Sequence, residues 1–271
     1  MRYFFLLMIV VLFGCHQPEK KAVAKNKLTS NDSTRIETRK NEVADSIIQV
    51  KLLDAALKYA TINLRQNYYQ KKIYLNQDTS KNAVLQYGHL FGNNVKHLLL
   101  KTNSSWNINT RIFVFDNGNL KQVLSQTEWD LNFVADTIRD VNGDGFKDFI
   151  SITYSSSGCC ARSYNNVSLY EPAQGAFSKS YFFINPDFFP KEKVIRGVNY
   201  GHPGEVPLYK YKWNGANIDT VEYIYPADTL KKKFYLVHHY GDKDNPQKRK
   251  TLSAVPKEYL KISGYDWFID Y

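Results

Sequence analysis

Between residues 42 and 66 the apolar positions of this chain recur every three, four and seven residues; beyond Tyr68 they recur every two. The first pattern predicts one helix, with Val43, Ile47, Val50, Leu57, Ala60 and Leu64 along a stripe that Ile48, Leu52, Ala56 and Tyr59 widen. The second predicts strands, because β-branched and aromatic residues dominate in short runs separated by turn residues. "RIFVF-DNGN-LKQVL" is the clearest hairpin, with Asn117 and Gly118 supplying the positive φ of a tight turn. "NVSLYEP-AQG-AFSKSYFFI" is a second, turning through Pro172 and Gly175. Further strands are expected at 83–90, 96–102, 132–138, 148–155, 193–200, 206–213, 216–225 and 230–240, with no second helix of any length. The fold class is therefore mainly β: an antiparallel β-sandwich or open barrel with one N-terminal amphipathic helix.

The N-terminus reads differently. One positive charge, Arg2, precedes an unbroken apolar run from Tyr3 to Phe13, followed by Gly14 and Cys15. A bilayer span needs about 20 apolar residues, whereas about 7–15 suit the core of a secretory signal, so residues 1–14 are expected to be a leader that is removed. "LFGC" at 12–15 resembles the lipobox of bacterial lipoproteins, which implies that Cys15 is lipidated and becomes the mature N-terminus. The alternative is an ordinary signal peptide cut near a cysteine. Residues 15–41 are polar and short of large apolar groups, the composition of a flexible tether. The expected organisation is thus a leader (1–14), a lipidated tether (15–41), a helix (42–66) and a β domain (67–271).

Charge changes the picture of partners. The chain holds 36 Lys and Arg against 26 Asp and Glu, and about +7 stays on the body beyond residue 50. In the cytosol such a balance would point to nucleic acid; export removes that partner. Anionic cell-wall polymers, lipid headgroups or an acidic protein of the envelope remain.

The densest chemistry lies in "RDVNGDGFKDFI", residues 139–150. Asp140, Asn142 and Asp144 offer side-chain oxygens at positions 1, 3 and 5, Gly145 permits the turn at position 6, and the main-chain carbonyl of Phe146 is available at position 7. This arrangement wraps a hard cation such as Ca²⁺. Position 12 is Ser151 in place of a bidentate glutamate and both flanks read as strand, so an EF-hand is excluded and Asp148, at position 9, is expected to close the shell. Without an ion the stretch would be a solvated Asx turn.

"DVNGDGFKDFI" resembles the calcium loop of FG-GAP/VCBS repeats. A single copy, followed by "YNNVSLYEP…GAF", "NPDFFPKEKVI" and "YKYKWNGANIDTVEYIY", is similar to a family of periplasmic single-loop calcium lipoproteins, over roughly residues 80–225. Known members resemble lysozyme inhibitors and act as immunity proteins against peptidoglycan hydrolases. The resemblance implies metal positions at Asp140, Asn142, Asp144, Phe146 and Asp148, and a home in the cell envelope at the outer membrane, facing the periplasm. It carries no inhibitory loop onto particular residues.

Cys159 and Cys160 are neighbours. Export favours oxidation, yet adjacent Cα atoms lie about 3.8 Å apart where disulfides prefer about 4.4–6.8 Å. A strained vicinal disulfide, two free thiols and a redox or partner-linking role all stay open.

Catalytic constellations are poor: HExxH, GxSxG, CxxC and P-loop patterns are missing. His238 and His239 are expected to alternate on a strand, one buried and one at the surface. His202 and Glu205 share a Gly/Pro-rich loop, and 241–250 is a basic turn that could contact an anion. The leading expectation is a non-enzymatic, calcium-braced envelope lipoprotein that binds a macromolecule. The rivals are a hydrolase acting on carbohydrate or cell wall through His202 or His238, and a structural lipoprotein that associates through its helix.

Overall fold

The computed structural model describes residues 30–75, 79–116, 118–155, 163–228 and 232–269. It is mainly β, with three antiparallel sheets and no closed barrel among the described residues.

Helix α1 (Ser30–Ile62) starts well before the expected boundary at residue 42. Residues 30–42 contain neither Gly nor Pro, so the backbone can stay helical. They carry no apolar stripe, which is why periodicity could not find them. Described side chains from Thr34 to Glu42 are exposed, and the compact unit begins at Val43. No described helix is long and apolar enough to cross a membrane.

The buried stripe of α1 corrects the expected one. Leu52, Ala56 and Ala60 are fully buried, whereas Val43, Ile47 and Val50 are at least half exposed. The stripe that packs combines Leu52 and Ala56, expected only to widen it, with Ala60 of the expected stripe. Two of its three buried members are alanines, which lets the helix lie close to the sheet.

That first sheet, in the order β1 to β5, contains β1 (Tyr69–Tyr74), β2 (Asn82–Gly88), β3 (His97–Asn103), β4 (Asn107–Asp116) and β5 (Asn119–Trp129). Its helix side gives Tyr69, Ala83, Leu85, Tyr87, Leu98, Leu100 and Phe113 to one core with α1. At the start of the packed part of α1, the amide of Ser105 donates to Asp45 Oδ1 at 3.0 Å.

The second sheet is β6 (Phe133–Arg139), β7 (Asp148–Thr153), β8 (Tyr164–Glu171) and β9 (Ala176–Ile184). Phe149 and Tyr170 meet Leu99 and Ile112 of the first sheet in a shared core, with Leu90 and Phe91 of the β2–β3 connection. On its other face Ile150, Val167, Leu169 and Phe183 pack with the third sheet.

The third sheet runs β10 (Pro186–Phe189), β11 (Val194–Val198), β12 (Leu208–Asn214), β13 (Asn217–Pro226), β14 (Phe234–Val237) and β15 (Lys250–Leu252). Ile195, Tyr209, Trp213, Tyr223 and Tyr225 face the second sheet. Val198, Leu208, Ile224 and Phe234 line the opposite side, where the C-terminal segment covers them with Val255, Tyr259, Ile262 and Phe268. Phe268 lies on the short helix α2 (Tyr265–Ile269), a second helix that the sequence reading had not expected; at five residues it is too brief to show a period.

Strands β1, β10 and β15 were also missed. Strand β1 is polar with alternate exposure, β10 contains a proline, and β15 has three residues, so none presents an apolar alternation of useful length.

Candidate functional site

Strands β6 and β7 pair through Arg139 opposite Asp148, and the connection between them is the acidic loop. Its conformation follows from its own side chains. Asp140 Oδ1 accepts from the amide of Gly143 at 2.7 Å and its Oδ2 from the amide of Gly145 at 3.1 Å. Asn142 Oδ1 accepts from the amide of Asp144 at 3.1 Å, and Asp144 Oδ1 from the amide of Phe146 at 2.8 Å. These are nested Asx turns, in which a short acidic or amide side chain satisfies the backbone two to five residues on. Gly143 and Gly145 have φ of 75° and 89°, values that glycine alone adopts without strain.

Asp148 is the buried member. It is wholly screened from solvent; its Oδ2 accepts from the amide of Val141 and its Oδ1 from the amide of Tyr170, both at 3.0 Å. One carboxylate thus ties the start of the loop, its end and the neighbouring strand. Burial, with the charges of Asp144 and Asp140 nearby, pushes its pKa up to about 7, although the two amides pull the other way. Three carboxylates thus stand on one short loop, where a cation would offset their repulsion. Arg139 does not supply the balance: its guanidinium lies over the ring of Phe188, 5.2 Å from the centroid.

Three further contacts fasten the loop to the rest of the body. The amide of Lys147 donates to the carbonyl of Phe91 at 2.9 Å. The ring of Phe146 lies against Gly92, where a Cβ would stand 3.1 Å from it, and 6.3 Å from the ring of Tyr170. Gly143 lies against the backbone of Pro190 and the Cγ of Lys193, beside the link between β10 and β11. The loop thus reaches all three sheets or their connections.

The five expected metal positions lie together on this one loop. Asn142 and Asp148 are buried, Asp140 and Phe146 half-buried, and Asp144 exposed. Among the described residues no group of three or more His, Cys, Asp or Glu side chains stands together as a metal centre. An ion here would draw on the amide oxygen of Asn142 and the carbonyl of Phe146 as well as the carboxylates. That donor set is all oxygen, suited to a hard cation.

The other expected residues part company. Cys15, Cys159 and Cys160 lie outside the described residues. His238 and His239 are both exposed, contrary to the expected buried and surface pair. The reason is that β14 stops at Val237, so neither imidazole belongs to a strand; His238 Nδ1 instead lies 2.8 Å from the carbonyl of Val221. His202 and Glu205 are exposed in the turn after β11, where the amide of Glu205 donates to the carbonyl of His202 at 3.2 Å. Much of the basic turn is engaged by its own body: Lys248 pairs with Asp242 at 3.2 Å, Lys243 lies over Tyr225, and Arg249 lies 3.9 Å from the ring centroid of Tyr235.

Sequence reasoning had not foreseen the residues that clamp the loop from outside. Tyr170, Phe91, Gly92, Pro190 and Lys193 carry no local signal, since each acts through position alone, and from more than 20 residues away in sequence. Comparison with protein families, with curated proteins and with solved structures finds no match for this chain.

Proposed function

We propose that this chain is a lipid-anchored protein of the bacterial envelope, whose β body, braced by one Ca²⁺, binds a macromolecular partner without transforming it. The observation that carries the reading is the acidic loop: a buried carboxylate, under repulsion from two others, at the point where three sheets are fastened together. Asp140, Asn142, Asp144 and Asp148 would hold the ion through side-chain oxygens and Phe146 through its carbonyl. The ion would supply positive charge that the Arg139 guanidinium, stacked over Phe188, does not bring to the carboxylates. Everything else is the work of the chain, which folds the loop by its own Asx turns and so presents donors already arranged.

A brace of this kind suits recognition, because it stiffens a surface without placing a reactive group in it. The specific form proposed is inhibition of a peptidoglycan-degrading enzyme, with an acidic face or an anionic cell-wall polymer meeting the basic body. Calcium should raise the melting temperature of the protein, and Asp144→Ala should abolish the rise. Identical melting curves in calcium and in chelator would sink the brace. Slower cell-wall lysis by a co-resident hydrolase on addition of the protein tests the inhibitory form.

A further inference from the structure

One end of the body carries an apolar rim. Beside the start of β4, along the β5–β6 turn with its flanks and just past the end of β7, Trp106, Trp129, Leu131, Val134 and Tyr154 stand between 43 and 75% exposed. We infer that this rim rests on the lipid bilayer to which the chain is anchored, in the layer of headgroups and upper acyl chains. The inference rests on the proposed lipid-anchored reading and names the surface that the body turns to the membrane.

Backbone hydrogen bonds make the rim one surface. The amide of Asp130 donates to the carbonyl of Trp106 at 2.9 Å, the amide of Asn132 to the carbonyl of Trp129 at 3.0 Å, and the amide of Tyr154 to the carbonyl of Asn132 at 2.7 Å. Beyond Tyr154 the rim continues through Tyr164, which pairs opposite Thr153 and stacks 5.5 Å from the exposed ring of Phe182. Contiguous apolar surface of this kind marks a contact with a membrane or a partner. The acidic loop joins the other ends of β6 and β7, so the rim and the brace are separate sites.

Two observations select the bilayer. The first is where the chain enters. The compact body begins at Val43, and two residues later Asp45 Oδ1 accepts from the amide of Ser105, the neighbour of Trp106. Val43 and Ile47, in the same turn of α1, are at least half exposed. A tether from Cys15 therefore joins the body at this end, and it holds the rim near the bilayer at an effective concentration for which a few side chains suffice.

The second is the chemistry of the rim. Tryptophan and tyrosine each present an apolar ring with a polar edge, and both concentrate where membrane meets water. Leu131 and Val134 add aliphatic side chains, which enter lipid without needing a complementary shape. The carboxylates of this end are largely taken up within the body: Asp45 by the amide of Ser105, Glu128 by the hydroxyl of Ser151 at 3.0 Å and Asp136 by Lys101 at 2.8 Å, while Asp130 stays at the surface. Little negative charge thus opposes anionic headgroups, which the excess of Lys and Arg over Asp and Glu attracts.

The test places the full chain, purified from the membranes of an expressing bacterium, in vesicles of phosphatidylethanolamine and phosphatidylglycerol with bromine on the acyl chains, and reads tryptophan emission. Mass spectrometry of the same sample reads whether Cys15 carries acyl groups. Bromine quenches only at close contact, and lipids brominated high on the chain should quench more than lipids brominated near its end. Trp106→Phe with Trp129→Phe should remove more than about half of the quenching, with the melting temperature unchanged, since these are the exposed pair among four tryptophans while Trp213 is buried and Trp267 half-buried. Acylated protein whose emission stays unquenched overturns the docking, leaves the anchor standing and gives the rim to a protein partner. Quenching of protein that carries no acyl group supports the docking and removes the anchor. Unquenched emission without acyl groups overturns both. Quenching that survives the double substitution in full also overturns the inference.

Discussion

Gly143 lies so close to Pro190 that any Cβ placed on it would stand 2.1 Å from the Pro190 carbonyl oxygen. The contact joins the acidic loop of the second sheet to the link between the first two strands of the third. Gly145, two residues on, has a similar positive φ but nothing within 4 Å of its Cβ position. The pair separates backbone strain from close approach. Gly145→Ala should cost about 1–2 kcal/mol, the price of a left-handed backbone for a residue with a Cβ. Gly143→Ala adds displacement of a main-chain carbonyl and should cost at least about 3 kcal/mol. Denaturant melts of the two variants check the difference; equal losses would mean that the approach to Pro190 contributes nothing.

His97 gives the protein an acid-sensitive core. Its ring is fully buried, edge-on to Phe91 and Tyr170 at 5.0 and 5.1 Å. Burial pulls its pKa down to about 4, from an unfolded value of about 6.5. Between those values the unfolded chain binds the proton that the folded chain refuses. The contribution of His97 is therefore complete above about pH 6.5 and is lost as the pH falls toward 4, by about 3 kcal/mol, while Asp148, whose pKa is raised to about 7, contributes in the opposite direction over the same range. His97→Gln should remove the acid-side loss, so that stability between about pH 4 and 6.5 rises relative to the unchanged protein as the pH falls. A profile unchanged by the substitution would show that another group sets it.

Arg196 and Lys248 both pair with carboxylates, but in different surroundings. Arg196 is 3% exposed, pairs with Glu192 and lies over the ring of Phe189, 4.6 Å from the centroid. Arg196→Ala removes that packing and leaves a cavity beside Phe189, while Glu192 stays in water, and should cost about 2 kcal/mol. Lys248 is more than half exposed in its pair with Asp242. Lys248→Ala should cost well under about 1 kcal/mol, and its effect should vanish in high salt.

The helix offers a test of which stripe packs. Leu52→Ala should destabilise the body by about 2–5 kcal/mol, since Leu52 is wholly buried against the first sheet. Val50→Ala, at a position 63% exposed, should stay within about 0.5 kcal/mol of the unchanged protein. The opposite ranking would put the other face of α1 against the body.

Both stripes were visible in the sequence, yet the sequence could not rank them. Val43, Ile47 and Val50 have the spacing of a buried face as plainly as Ile48, Leu52 and Ala56 do. What separates them is the first sheet, whose surface admits alanine at closest approach. The same limit explains the missed strands: β1 and β15 pair through backbone hydrogen bonds that need no apolar side chain.

The sequence by itself determined a mainly β chain, the hairpins around Gly118 and Gly175, and the order of acidic, amide and glycine residues between β6 and β7. These depend on periodicity, turn stereochemistry and hydrogen bonds spanning a few residues, all of which are local. Only the tertiary structure decided that Asp148 is buried and held by Tyr170, that Gly143 abuts Pro190, and that Asp45 holds Ser105 beside Trp106. Those relations join residues 22 to 60 positions apart in the chain, and they arise from how the helix and three sheets pack, which no short window of sequence contains.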